Sequence, residues 1–127
     1  MSEQRHPDIE VYVKERTAQE ILKWVETLGT LSNHKVTKDS IKTTLIIDEL
    51  EIPVLIQQRV IGKAWSTIWF DSSETPWATD LECAHHIAKE METQTRCIIS
   101  GWQEGDEPDE WYKVHQGVEE KIVWNTN

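Results

Sequence analysis

The chain of 127 residues is poor in the features that usually announce chemistry. It has only two cysteines, Cys83 and Cys97, with five glycines and four prolines. Two thiols cannot build a disulfide framework or a four-cysteine zinc site, and both are expected to stay reduced. The sparse glycines form no P-loop, no dinucleotide-binding fingerprint and no nucleophile elbow. No apolar run approaches the roughly 20 residues that span a bilayer, so no membrane helix is expected. Residues Met1 to Pro7 lack the apolar stretch of a secretory signal, and the expected location is cytoplasmic, with 1–7 a frayed lead-in to a single domain over 1–127.

Positive charge is also scarce, and its scarcity is uneven. Thirteen Lys and Arg stand against 23 Asp and Glu, a formal charge of −10. Residues 1–63 carry nine bases and ten acids, whereas residues 64–127 carry four and thirteen. Six of the seven tryptophans lie in that acidic second half. Direct nucleic-acid binding is therefore not expected, because neutralising phosphates takes clustered Lys and Arg. An acidic surface instead attracts basic proteins and steers their approach.

Apolar periodicity gives the elements. Ile9, Val11 and Val13 alternate with Glu10, Tyr12 and Lys14, the pattern of a half-buried strand. Thr17 and Glu20 have capping-box spacing, and Ala18, Ile21, Leu22, Val25 and Leu28 then share a helical face, with Gly29 placed to end the helix in the left-handed conformation. Ile41 to Ile47 and Pro53 to Ile61 read as a hairpin about the acidic turn Asp48 to Glu51, and Ala64 to Phe70 as a third strand with Trp65, Thr67 and Trp69 on one face. Thr79 and Glu82 repeat the capping spacing ahead of a second helix from about Asp80 to Glu92, whose expected buried stripe is Leu81, Ala84, Ile87, Ala88 and Met91. Arg96 to Trp102 and a last hairpin, Trp111 to Val114 with Val118 to Trp124, complete the order β-α-β-β-β-α-β-β-β. The expected fold is α+β, a two-layer sandwich in which a largely antiparallel sheet carries both helices on one face. The spacing of the two caps also allows a weak β-α-β-β pseudo-repeat.

Candidate chemistry is thin. Glu82, Cys83, His86 and Glu90 have helical spacings compatible with a shared metal, but Cys83 and His85 project far apart and no further ligand is near in sequence, so neither metal nor cofactor is expected. No cysteine sits in a catalytic signature, and no catalytic residue is assigned. The segment Gln103 to Glu110 holds five carboxylates between Trp102 and Trp111. Large aromatic anchors beside charges that guide encounter are the composition of a binding site, and Trp77, Trp102, Asp106, Glu107, Asp109, Glu110 and Trp111 are the candidate partner-binding residues. The reading is a small acidic regulatory domain, an inhibitor or immunity-type partner of a basic protein. The alternative is a small-ligand or metal-assisted enzyme with its site near loop 103–110 and the second helix. A homodimer through a sheet edge is expected to use the near-neutral first half.

Overall fold

The structure, a computed structural model, describes residues 8–61, 64–98 and 110–123. They form ten elements: β1 (Ile9–Lys14), α1 (Ala18–Glu26), β2 (Thr30–Val36), β3 (Ser40–Ile47), β4 (Leu50–Ile61), β5 (Trp65–Phe70), α2 (Asp80–Met91), β6 (Thr95–Ile98), β7 (Glu110–His115) and β8 (Val118–Val123). The eight strands make one antiparallel sheet in the order β2-β3-β4-β5-β1-β6-β7-β8. The expected element order is corrected by one strand. Between α1 and β3 lies β2, whose sequence TLSNHKV has little apolar alternation because it is an edge strand exposed along most of its length.

β1 is the hinge of the architecture. It pairs on one side with β5, from Ile9 opposite Phe70 to Lys14 opposite Trp65, and on the other with β6 through Tyr12 and Val13. Its inward residues Ile9, Val11 and Val13 have no exposed surface and join Ile56, Ile68 and Phe70 in the core. Ile21, Trp24 and Val25 of α1 enter that same core, as do Cys83, Ala84 and Ile87 of α2. Burial of these side chains drives the fold, since each fully buried aliphatic or aromatic residue contributes about 1.5–3 kcal/mol.

The helix ends follow their sequences closely at Thr17 and less so elsewhere. Thr17 Oγ1 accepts from the Glu20 N–H at 3.2 Å and Glu20 Oε1 accepts from the Thr17 N–H at 3.0 Å, a complete capping box. Thr79 caps α2 through the Glu82 N–H at 3.2 Å, while the Glu82 carboxylate meets the Thr79 hydroxyl rather than its backbone. At the far end of α2, Arg16 Nη2 donates to the Met91 carbonyl at 2.7 Å, giving an orphan helix-end acceptor a charged partner. The buried stripe of α1 includes Trp24, with Leu22 and Leu28 only partly covered, and that of α2 is turned toward Cys83.

Gly29 serves a different purpose from the one its sequence suggests. α1 ends on Thr27 in right-handed conformation, and Gly29 is not among the positive-φ residues. What requires glycine is close approach: a Cβ at position 29 would collide with the Ile46 carbonyl oxygen and stand 3.1 Å from Ile47 Cγ1. Gly29→Ala is therefore expected to cost about 1–3 kcal/mol through overpacking, read as a lower urea midpoint; an unchanged midpoint would show that the α1–β3 approach is loose.

Candidate binding surface

Strand direction sorts the connections. With β1 running away from the end at Ile9, every neighbouring strand reverses, so connections alternate between the two ends of the sheet. At the end where β1 begins lie the α1–β2 connection, the β3–β4 turn, the β5–α2 loop and both anchor points of the β6–β7 connection. The described residues of these segments include Asp48, Glu49, Asp71 and Glu74, four carboxylates with no Lys or Arg; Glu104, Asp106, Glu107 and Asp109 follow in the β6–β7 connection, outside the described residues. The described residues of the connections at the opposite end hold Glu15, Asp39 and Glu92 against Arg16 and Lys38, a mixed set. Among the described residues, the connections at one end of the sheet are thus acidic and those at the other mixed.

Additional acids crowd the same end within the described residues. The Glu10 N–H donates to Asp80 Oδ1 at 3.4 Å, and Asp8 Oδ2 accepts from Trp69 Nε1 at 2.7 Å. Partial burial raises Glu10 above the ordinary carboxyl range, and the neighbouring Asp80 and Asp8 charges raise it further. Asp8, Glu10, Asp48, Glu49, Asp71, Glu74 and Asp80 went unassigned in the sequence, where nothing joins segments so far apart. Only the antiparallel register brings them together.

The tryptophans are mostly structural. Trp77 is 6% exposed, stacks on Trp24 with ring centroids 5.9 Å apart, and donates its Nε1–H to His86 Nδ1 at 3.0 Å. It pins the β5–α2 loop to the helices instead of being displayed to a partner. Trp24 pays part of this packing in polarity, because its buried Nε1 finds no hydrogen-bond partner among the described residues. On the helix-free face of the sheet, Trp111 is 8% exposed and meets Tyr12 edge-on at 5.1 Å, while the Arg96 guanidinium lies 4.7 Å above the Trp65 ring. Trp111 therefore holds the start of β7. Trp102, Asp106, Glu107 and Asp109 lie outside the described residues, as does the side chain of Glu110.

The metal quartet does not assemble. Cys83 is wholly buried and His86 turns into the aromatic cluster, while Glu82 and Glu90 face solvent. No group of three or more metal-ligating side chains occurs among the described residues. Nor do the two free cysteines offer a nucleophile, since burial pushes both thiols up, well above their ordinary range. A cavity of about 450 Å³ does exist beside α2, lined by His85, Lys89, Thr93, His115 and Gln116 among others. It sits at the C-terminal end of α2, whereas the described acidic connections lie at its N-terminal end.

No known protein family, curated protein or solved structure matches the chain.

Two expectations follow from this geometry. Native protein at neutral pH should resist alkylation at Cys83 and Cys97 and take up two labels once unfolded in denaturant; rapid labelling of the native state would contradict their burial. The second concerns Glu10. Its raised folded-state pKa means that the native protein holds this proton more tightly than the unfolded chain does. Its contribution to stability is therefore fullest below the ordinary carboxyl range and is lost as pH rises through the raised value. Glu10→Gln should unfold at a higher temperature than the parent at pH 7, with the difference vanishing below about pH 4. A variant less stable than the parent at pH 7 would contradict the crowding of charge.

Proposed function

We propose that this protein is a non-enzymatic binding domain whose acidic end docks a basic region of another protein, as an inhibitor or regulatory partner does. The observation that supports the reading is the one-sided placement of charge among the described residues: Asp48, Glu49, Asp71 and Glu74 without a cation in the connections at one end, against a mixed set at the other. Charge gathered in this way makes a directional field, which raises encounter rates with a basic surface far more than the same charge spread evenly. Trp102, in the same connection as Glu104, Asp106, Glu107 and Asp109, supplies the desolvated anchor, and the carboxylates around it supply steering. Trp111, buried at the start of β7, is a structural support. Against a catalytic role stand the buried, proton-retaining cysteines.

The test compares two variants immobilised and exposed to extract of the source cells at low salt. One replaces Glu104, Asp106, Glu107 and Asp109 by their amides; the other replaces Glu15, Asp39 and Glu92 at the mixed end. The reading expects the parent and the second variant to retain the same basic proteins and the first variant to lose them. For a retained protein, association with the first variant should be slower by about tenfold and less salt-dependent, because exposed charges act over a screening length of about 8 Å. Equal retention by both variants would remove the acidic end from recognition.

A further inference from the structure

The sheet has two edges, and they are built differently. β2 closes one side with a register shift between Ser32 and Lys35 against β3, and Asn33 at its centre has φ 56°, in the left-handed region. A bulge of this kind twists an edge away from straight pairing, and the exposed His34 and Lys35 blunt it further. β8 closes the other side with six consecutive residues in unbroken register with β7, from Val118 opposite His115 to Val123 opposite Glu110. It has no bulge and no proline, and Val118 and Val123 are 59% and 76% exposed. No strand is described beyond it. The near-neutral first half, where a self-association edge was expected, thus carries the protected edge, and the second half carries the open one.

The turn before β8 fixes which of its backbone groups face outward. Gln116 and Gly117, with φ 51° and 78°, form a two-residue hairpin turn of the primed type, which closes on the hydrogen-bonded pair His115 and Val118. Val118, Glu120 and Ile122 therefore bond to β7, and Glu119, Lys121 and Val123 present their N–H and C=O groups to the outside. An antiparallel partner must match outward residues with outward residues. When the partner is a second copy of β8, the allowed register centred on Glu120 places Glu119, whose Oε1 also meets His85 Nε2 of its own chain at 2.7 Å, opposite Lys121 and Lys121 opposite Glu119, and sets Val118 opposite Ile122 twice. The one like-charge contact, Glu120 against its symmetry mate, is moderated by Lys113, whose Nζ lies 4.0 Å from Glu120 Oε1 in each chain. Shifting the centre to Lys121 would instead oppose two lysines and lose both ion pairs.

We propose that β8 pairs with β8 of a second copy in this register, joining two sheets across a two-fold axis. The arrangement also answers the repulsion between two chains of charge −10. Antiparallel pairing sends the two acidic ends to opposite ends of the joined sheet, as far apart as the strands allow, and leaves both free for other contacts. The contact is small, so the dimer is a weak one that forms with concentration. The inference is independent of what the acidic end binds.

Sedimentation and light scattering on the full chain test it through charge exchange. Lys121→Glu alone and Glu119→Lys alone each turn both cross-strand ion pairs into like-charge pairs, and each should weaken self-association by about tenfold. An equimolar mixture of the two single variants regains two attractive pairs in the mixed dimer and should associate at least as well as the parent. Lys121→Pro, which removes an outward N–H and no bond to β7, should abolish dimerisation while far-ultraviolet circular dichroism stays unchanged. A parent that remains monomeric up to about 1 mM, a value far above ordinary specific affinities, would overturn the proposal. So would single variants that associate as the parent does, or a mixture that stays monomeric while the parent dimerises.

Discussion

The pairing of β1 with both β5 and β6 is the interaction on which the rest of the molecule depends. Each half of the chain makes strands of its own, but only this central strand, with Ile9, Val11 and Val13 wholly buried, turns them into one sheet. A single sheet gives α1 and α2 one common core. The uninterrupted antiparallel order then has an electrostatic consequence. Connections leave the sheet alternately at its two ends, so a distribution of acids that looks scattered in sequence becomes a dipole of formal charge in the folded state. Conformational preference and hydrophobic burial build the sheet; the surface field comes with its topology.

Where apolar residues recur with a clear period, the sequence shows the fold directly. β1, α1, the β7–β8 hairpin and the Thr17 capping box all follow from local pattern, because the forces that form them act between near neighbours. β2 does not, since Ser32, Asn33, His34 and Lys35 carry no apolar period and the strand exists through its ladder with β3, reinforced by Thr43 Oγ1 donating to the Ser32 carbonyl at 2.9 Å. Gly29 was readable as necessary but not for the right reason, because its constraint is the carbonyl of Ile46, seventeen positions away. The candidate surface was half legible. The acidic run at 103–110 stands out in composition, whereas Asp8, Glu10, Asp48, Asp71 and Asp80 come to one end of the sheet only through the register of the strands.

The aromatic residues show how composition misleads when it is detached from topology. Tryptophan in an acidic half suggests exposed anchors, yet the candidates Trp77 and Trp111 are less than a tenth exposed, as are Trp65 and, in the first half, Trp24. Trp24 and Trp77 fill the space between the helices with His86 and Phe70, and Trp65 and Trp111 lie on the helix-free face beside Arg96 and Tyr12. Large rings thus pack on both faces of the sheet, where they bury apolar area and fix the segments that carry them. Burial of Cys83 and Cys97 belongs to the same economy of packing: both are small apolar groups of the core, with their protons held.

The central claim is that the fold gathers negative charge at one end, and the surface potential can be measured residue by residue. Paramagnetic relaxation of backbone amides by a cationic nitroxide, divided by that from a neutral nitroxide of similar size, reports the local potential independently of simple accessibility. At low salt the account predicts a high ratio for amides at Asp48, Glu49, Asp71 and Glu74 and a ratio near one at Glu15, Lys38 and Gln116, with the contrast collapsing as salt shortens the screening length to about 3 Å at 1 M. Equal ratios at the two ends at low salt would contradict it.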